Sequence, residues 1–236
     1  MNRVILVTGA GRGLGFCIVQ RHLTEKDRIY ALDWQLTDEV RALAQNNDLL
    51  KIYLCDIGSD EQVTASLKDI LAIEERVDII YNVAGIYVFE AVTGLAETDM
   101  DLCMRMYNIN ALGALRICKG LFPLIKEDSL IINISSEAGS IGASRRKQEY
   151  GYCMSKAALN MGAKLLSNEL WSCRARVMNI DPGWMRTVIG GPGAAASSRS
   201  VAPEDSAADI VKMALNMDDY PRDQMFKEHT GKIIPW

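Results

Sequence analysis

Val4-Ile5-Leu6-Val7-Thr8-Gly9-Ala10-Gly11-Arg12-Gly13-Leu14-Gly15 is a short apolar run that breaks directly into glycines, and residues 14–25 then follow a helical period. An apolar run without alternation suits a strand buried on both faces, and entry through a glycine turn into a helix marks the start of a parallel strand–helix unit. Gly9, Gly13 and Gly15 permit a tight turn and let backbone N–H groups approach an anion at the positive end of the helix. Asp33 follows 18 residues after Gly15, at the end of the second apolar run. A carboxylate there can accept from the hydroxyls of a ribose, so the stretch reads as a dinucleotide site.

The same pattern continues along the chain. Short apolar runs at Val4–Val7, Arg28–Leu32, Leu50–Leu54, Val77–Tyr81, Leu130–Ile134 and Arg176–Ile180, with a last short candidate at Lys232–Ile234, alternate with helical periods at about 14–25, 36–46, 60–75, 98–121, 152–173 and 204–217. Such alternation predicts an α/β fold, a doubly wound parallel sheet with helices on both faces. Ser59, Thr98 and the Pro203-Glu204-Asp205 run are candidate helix starts. The 236 residues carry no linker-like tract, so one domain spanning 1–236 is expected. Gly, Ala and Ser concentrate in 188–202, which reads as a mobile loop over the substrate.

Composition excludes several function classes. Lys and Arg number 26 against 30 Asp and Glu, a net charge of −4, which argues against a nucleic-acid binder or a polybasic membrane anchor. The apolar runs are shorter than a bilayer crossing requires, and the expectation is a cytoplasmic protein. The six cysteines lack CxxC spacing and read as reduced, mostly buried thiols. Two histidines far apart make a histidine metal site improbable, and no metal is expected.

Asp33 favours NAD over NADP because its charge repels a 2′-phosphate, and Trp34 stands where an arginine would welcome one. Arg12, inside the glycine loop, is the residue that argues for NADP. Asp56 is placed either to accept from an adenine amino group or simply to start a helix. Tyr152 and Lys156 lie four residues apart, one turn along one helical face, and a nearby cation can lower a phenol's pKa toward the range useful for proton transfer. Ser135 and Ser136 end a buried strand, at the edge of the sheet where ligands bind in open α/β folds.

With these motifs in order, the chain resembles the short-chain dehydrogenase/reductase family over nearly its whole length. TGAGRGLG is similar to the family's cofactor loop, Asn82-Val83-Ala84-Gly85 to its NNAG motif with valine for one asparagine, and Asn108–Gly113 to its helix-4 asparagine segment. Ile134-Ser135-Ser136, Tyr152–Lys156 and Asp181–Thr187 are similar to its serine strand, catalytic helix and PG motif. Within the family, PGWMRT, Gly190-Gly191-Pro192 and the final GKIIPW resemble the C-factor/sniffer-type carbonyl reductase branch.

The resemblance implies a Rossmann fold and an NAD(P)-dependent oxidoreductase that moves a hydride between nicotinamide and an alcohol or carbonyl. It implies Asn110, Ser136, Tyr152 and Lys156 as the catalytic set, with Ser135 the alternative to Ser136. Tyr152 would be the general acid/base, Ser136 would bond the substrate oxygen, Lys156 would hold the ribose and Asn110 would order a water. Cofactor contacts would come from Gly9, Arg12, Gly13, Leu14, Gly15, Asp33, Asp56, Ile57, Asn82, Ala84, Gly85, Tyr152, Lys156, Pro182, Gly183, Met185 and Thr187. NAD(H) is favoured and NADP(H) is possible.

Two departures stand out. The Glu137–Gly151 segment is longer than the family spacing, and its Ser144-Arg145-Arg146-Lys147 reads either as a basic lip for an anionic substrate or as a solvated turn. Trp184 reads as a wall of an apolar pocket or as packing. A small-residue stripe of Ser155, Ala158, Gly162 and Ala163, with the resemblance, suggests a homodimer or homotetramer through the helices around 98–121 and 152–173. A reductase of imine or pterin groups and a non-catalytic dinucleotide sensor are the alternatives.

Overall fold

A computed structural model describes residues 2–236. Its strands are β1 (Val4–Thr8), β2 (Arg28–Asp33), β3 (Leu50–Leu54), β4 (Val77–Asn82), β5 (Ile125–Ile134), β6 (Arg176–Asp181) and β7 (Phe226–Glu228). Its helices are α1 (Gly13–Thr24), α2 (Asp38–Gln45), α3 (Asp60–Ile73), α4 (Met100–Tyr107), α5 (Ala114–Leu121), α6 (Tyr150–Glu169), α7 (Gly191–Ala196) and α8 (Pro203–Leu215). The strands form one parallel sheet in the order β3–β2–β1–β4–β5–β6–β7. The order reverses between β1 and β4, where a crevice opens at the carboxyl ends of the strands.

Alternate residues of each strand face opposite layers. Leu6, Tyr30, Ile80, Ile131 and Val177 pack against α3, α5 and α6 through Leu67, Ile117 and Leu166. Ile5, Val7, Ile29, Tyr81, Ile132 and Ile180 pack against α1 and α8 through Ile18 and Ile210. Both layers are apolar, which is why the strands carry no alternation in sequence. Each fully buried Leu, Ile or Val contributes about 1.5–3 kcal/mol.

Polar groups inside the sheet answer to one another. Asn82, Asn133 and Asn179 stand in register on β4, β5 and β6. Asn82 Nδ2 donates to Asn133 Oδ1 at 2.9 Å, Asn133 Nδ2 to Asn179 Oδ1 at 2.9 Å, and Asn179 Nδ2 to Asn160 Oδ1 on α6 at 3.1 Å. This amide ladder pins the strand register, because a slip of one residue would break every bond in it.

Four local expectations need correction. The last strand is Phe226–Glu228; Lys232–Ile234 folds back beside it, with a single antiparallel bridge from Ile233 to Lys227 after a turn at Gly231 (φ 89°). The helix expected over 98–121 consists of α4 and α5 joined by a π turn, Asn108–Gly113. Its start is capped by Asp99, whose carboxylate accepts from the N–H groups of Asp101 and Leu102, while the Thr98 hydroxyl bonds back to Gly94. The 188–202 stretch is partly helical, containing α7, and is closed at its base by a bridge between Met185 and Val201. Ser59 caps α3 as expected, accepting from Gln62 N–H.

All six cysteines are unpaired, three buried and three half-buried. Among the described residues no helix is long and apolar enough to cross a membrane.

Candidate active site

The glycine loop fills the mouth of the crevice. Gly9 has φ 65°, and a Cβ on it would fall 2.8 Å from the Ala84 backbone; a Cβ on Gly15 would fall 2.1 Å from the Gly9 carbonyl. Both positions therefore require glycine, and they bring α1, β1 and the Ala84–Gly85 turn as close as backbones can come. The Thr8 hydroxyl fastens that turn by accepting from Val83 and Ala84 N–H, both at 3.1 Å. No acidic side chain occupies the first turn of α1 and Arg12 does not cap it, so its N–H groups are free to meet a phosphate.

Asp33 ends β2 and is buried, its carboxylate accepting from Gly11 N–H at 2.7 Å and Gln35 N–H at 3.0 Å. Arg12 and Trp34 are exposed. Asp56 uses Oδ1 on Gly58 N–H at 2.8 Å, an acid serving its own turn. The side chains of Leu14 and Ile57 lie in the core, so only their backbones can face a ligand. The Asn82 side chain likewise belongs to the amide ladder inside the sheet, so a contact with a ligand falls to its backbone. Thr187 Cγ2 approaches Gly13 to within 3.3 Å of where its Cβ would stand, so the Pro182–Thr187 segment bends back over the loop. Pro182 is anchored there by Ser206, whose hydroxyl donates to its carbonyl at 2.9 Å.

The polar cluster stands at the ends of β5 and β6 and the first turns of α6. Ser135 and Ser136 divide cleanly. Ser135 Oγ donates to Asn160 Oδ1 at 2.7 Å in the interior, whereas Ser136 Oγ accepts from Ala138 N–H at 3.2 Å and stands near enough to the Tyr152 phenol to lower its pKa. Lys156 is buried and donates to the Ile134 carbonyl at 2.7 Å, its Nζ 5.8 Å from the centre of the Tyr152 ring. Asn110, in the π turn, accepts from Ile86 N–H at 2.7 Å and donates to the Ile86 carbonyl at 2.9 Å and Ser155 Oγ at 3.0 Å. Its amide is fully engaged, which ties the turn after β4 to α6. Gly85 lies between them, with Asn110 Oδ1 and Lys156 Nζ 3.2 and 3.6 Å from the position of a Cβ.

Burial governs the electrostatics. It pushes the Tyr152 phenol up to about 12, against the lowering pull of Ser136, and holds the Lys156 ammonium down to about 8. The cation that lowers the phenol is Arg146 and not the expected Lys156, and desolvation outweighs it. Asp181, at the end of β6, is raised by burial to about 6, and its charge favours the protonated forms of both Tyr152 and Lys156.

Sequence reasoning placed Asp181 only within a motif and overlooked Tyr87, Phe89 and Glu149. The Tyr87 ring stands edge-on to Tyr152 and to Phe89, each with centroids 4.9 Å apart. Phe89 meets Gly191, and Trp184 lies against Gly193 while its indole N–H donates to the Gly190 carbonyl at 2.9 Å. An aromatic wall thus joins the segments 86–97 and 188–202. The proline-poor, aperiodic 86–97 stretch gave no signal for it.

A sheet wound both ways about a glycine crevice is an α/β fold of the dinucleotide-binding type. Within that class the chain belongs to the short chain dehydrogenase family, whose model matches residues 3–196. C-signal from Myxococcus xanthus is 30% identical over 164 residues, 68% of this chain and 93% of that protein. The NADPH-bound carbonyl reductase from chicken fatty liver superposes with a TM-score of 0.89 at 25% identity, covering 100% of this chain and 99% of the other. Carbonyl reductase Sniffer of D. melanogaster shares the fold with a TM-score of 0.87 at 24% identity, each chain covered completely.

Proposed function

We propose that this chain reduces a carbonyl group on an apolar small molecule to an alcohol, using a nicotinamide dinucleotide bound along the carboxyl edge of the sheet. The observation that carries the reading is the placement of Tyr152 one helical turn before the buried Lys156, whose Nζ lies 5.8 Å from the phenol ring centre, with burial favouring the protonated phenol. The glycine crevice fits the dinucleotide. Gly9, Gly13, Gly15 and the first N–H groups of α1, including Leu14, would hold its pyrophosphate; Arg12 flanks it. Asp33 would take the adenosine ribose, and Asp56 and the Ile57 backbone the adenine. Ala84, Gly85, Tyr152 and Lys156 would hold the second ribose, with Pro182, Gly183, Met185 and Thr187 beside the nicotinamide, which when bound supplies the hydride.

In this reading Ser136 donates a hydrogen bond to the substrate oxygen and Tyr152 delivers the proton to it. Lys156 anchors the ribose and leads the replacement proton inward. The Asn110 amide holds Ile86 and Ser155, so any water it serves binds at a carbonyl freed by the π turn. Tyr87, Phe89 and Trp184 favour an apolar substrate, and 188–202 would serve as its flap. Replacing Tyr152 by Phe should abolish turnover while nicotinamide fluorescence titration finds cofactor affinity within about twofold; retained turnover would sink the mechanism and leave the dinucleotide-sensor alternative.

The likeness to a carbonyl reductase holding NADPH does not support a preference for NAD. What supports it is Asp33, whose buried carboxylate opposes a 2′-phosphate, with no cation at Trp34. Titration with NADH and NADPH decides between them: tighter NADPH binding gives the preference to Arg12.

Exposed Met104, Leu115, Phe122, Met161 and Leu165 on and beside α4, α5 and α6 support association of copies through these helices. The small-residue stripe is used within the chain instead, Ser155 meeting Asn110 and Gly162 packing on Leu115. A monomer by light scattering at micromolar concentration would refute the dimer.

A further inference from the structure

Arg146 is not a free cation at the lip. Its guanidinium donates on one side to Glu149 and on the other to Glu137, the residue that directly follows Ser136. Glu149 also accepts from the Tyr87 hydroxyl, and the Tyr87 ring stands at 73° to the Tyr152 ring. Glu137, Arg146, Glu149 and Tyr87 therefore form one connected series that begins beside Ser136 and ends against Tyr152. Its members come from the turn after β5, the connection to α6, the residue before α6 and the segment after β4.

Glu149 is unusual in its backbone as well. A residue preceding a helix is normally extended and caps it with a short polar side chain. Glu149 instead has φ 68° and ψ 36° and caps nothing. A non-glycine residue in the left-handed region is strained, and the two bonds to its carboxylate hold it there. Tyr152 follows three residues later, so the conformation of Glu149 sets the course of the helical turn that carries the phenol.

We propose that Arg146, Glu149 and Tyr87 are positioning residues for Tyr152, clamping the first turn of α6 and the phenol ring so that its hydroxyl faces Ser136. The proposal rests on Tyr152 being the proton donor. With Arg146 matched by two carboxylates, its charge is spent inside the clamp and the exposed Arg145 and Lys147 carry what basic character the segment has left.

The test uses the full chain with tyrosine isotope-labelled at the phenol carbon, the Tyr152 resonance being identified by its loss in Tyr152→Phe. Tyr87→Phe keeps the ring and removes the bond to Glu149; Arg146→Gln removes the bridge. Both should shift or broaden the Tyr152 resonance. Both should also lower kcat for benzaldehyde by about tenfold with its KM within about twofold, since slight misplacement of a reacting group is costly. An unmoved Tyr152 resonance in both variants would overturn the proposal. So would a defect of Arg146→Gln confined to the KM for carboxybenzaldehyde, which would restore the basic lip. If Arg146→Gln fails to fold, Tyr87→Phe decides alone. Full turnover in Tyr152→Phe would instead refute the proton-donor reading, and the resonance would still judge the clamp.

Discussion

Ser135 and Ser136 are chemically identical neighbours whose side chains leave the sheet in opposite directions. Ser136→Ala should lower kcat about 100-fold, because the hydroxyl beside Tyr152 serves proton transfer, and cost about 1 kcal/mol in urea unfolding as Ala138 N–H loses its acceptor. Ser135→Ala should spare kcat and cost about 1 kcal/mol in urea unfolding, since it removes the bond to Asn160. A kinetic defect in the Ser135 variant as large as that of Ser136 would contradict this division. The sequence marked both residues, and only the family resemblance favoured Ser136, because the physical difference between them depends on Asn160 arriving from α6. Glu149 and Tyr87 were illegible for the same reason: each matters through a partner far away in the chain, and neither sits in a periodic or glycine-marked stretch. Tyr152 and Lys156 were legible because both partners occupy one helix.

At the scale of elements, the packing of α4 on α6 is the most exacting contact near the site. A Cβ on Gly151 would fall 2.5 Å from Met106 Cε and 2.9 Å from the Cys103 Cα. Gly151→Ala must therefore separate the two helices just where Tyr152 begins, at a cost of about 1–3 kcal/mol in urea unfolding, with kcat falling more than cofactor affinity. Wild-type stability and turnover would show that α4 yields freely. The helical period over 98–121 was readable, whereas the π turn inside it was not. Its cause is tertiary: the helix widens where Asn110 reaches both Ile86 and Ser155. The last strand failed from the opposite cause. Ile233 and Ile234 look more strand-like than Phe226-Lys227-Glu228, yet Phe226 takes the buried place and Lys227 is covered, its ammonium 5.4 Å from the Tyr220 ring.

Across the whole molecule, stability has a pH dependence set far from the active site. His22, Asp27 and Tyr81 are buried together, with His22 Nδ1 2.8 Å from Asp27 and Nε2 2.9 Å from the Tyr81 hydroxyl. Burial lowers the His22 pKa, outweighing the raising pull of Asp27, so the fold prefers the neutral ring. A depressed folded-state pKa contributes stability above the unfolded value of about 6.5, lost as pH falls through the folded value. The melting temperature should therefore drop below about pH 6.5, with a shallower dependence in His22→Gln; equal slopes would exclude His22 as the source. The doubly wound sheet was legible from six apolar runs and their spacing, but strand order was not, because pairing is a long-range property. That order carries a consequence for biosynthesis. β1 pairs β2 on one side and β4 on the other, with Thr8 beside Asn82. While the ribosome is still making α3, β1 is the open edge of a three-stranded fragment, so the glycine crevice is missing one wall. Before β4 emerges, that bare edge is where a chaperone would be needed and where nascent chains would stick to one another.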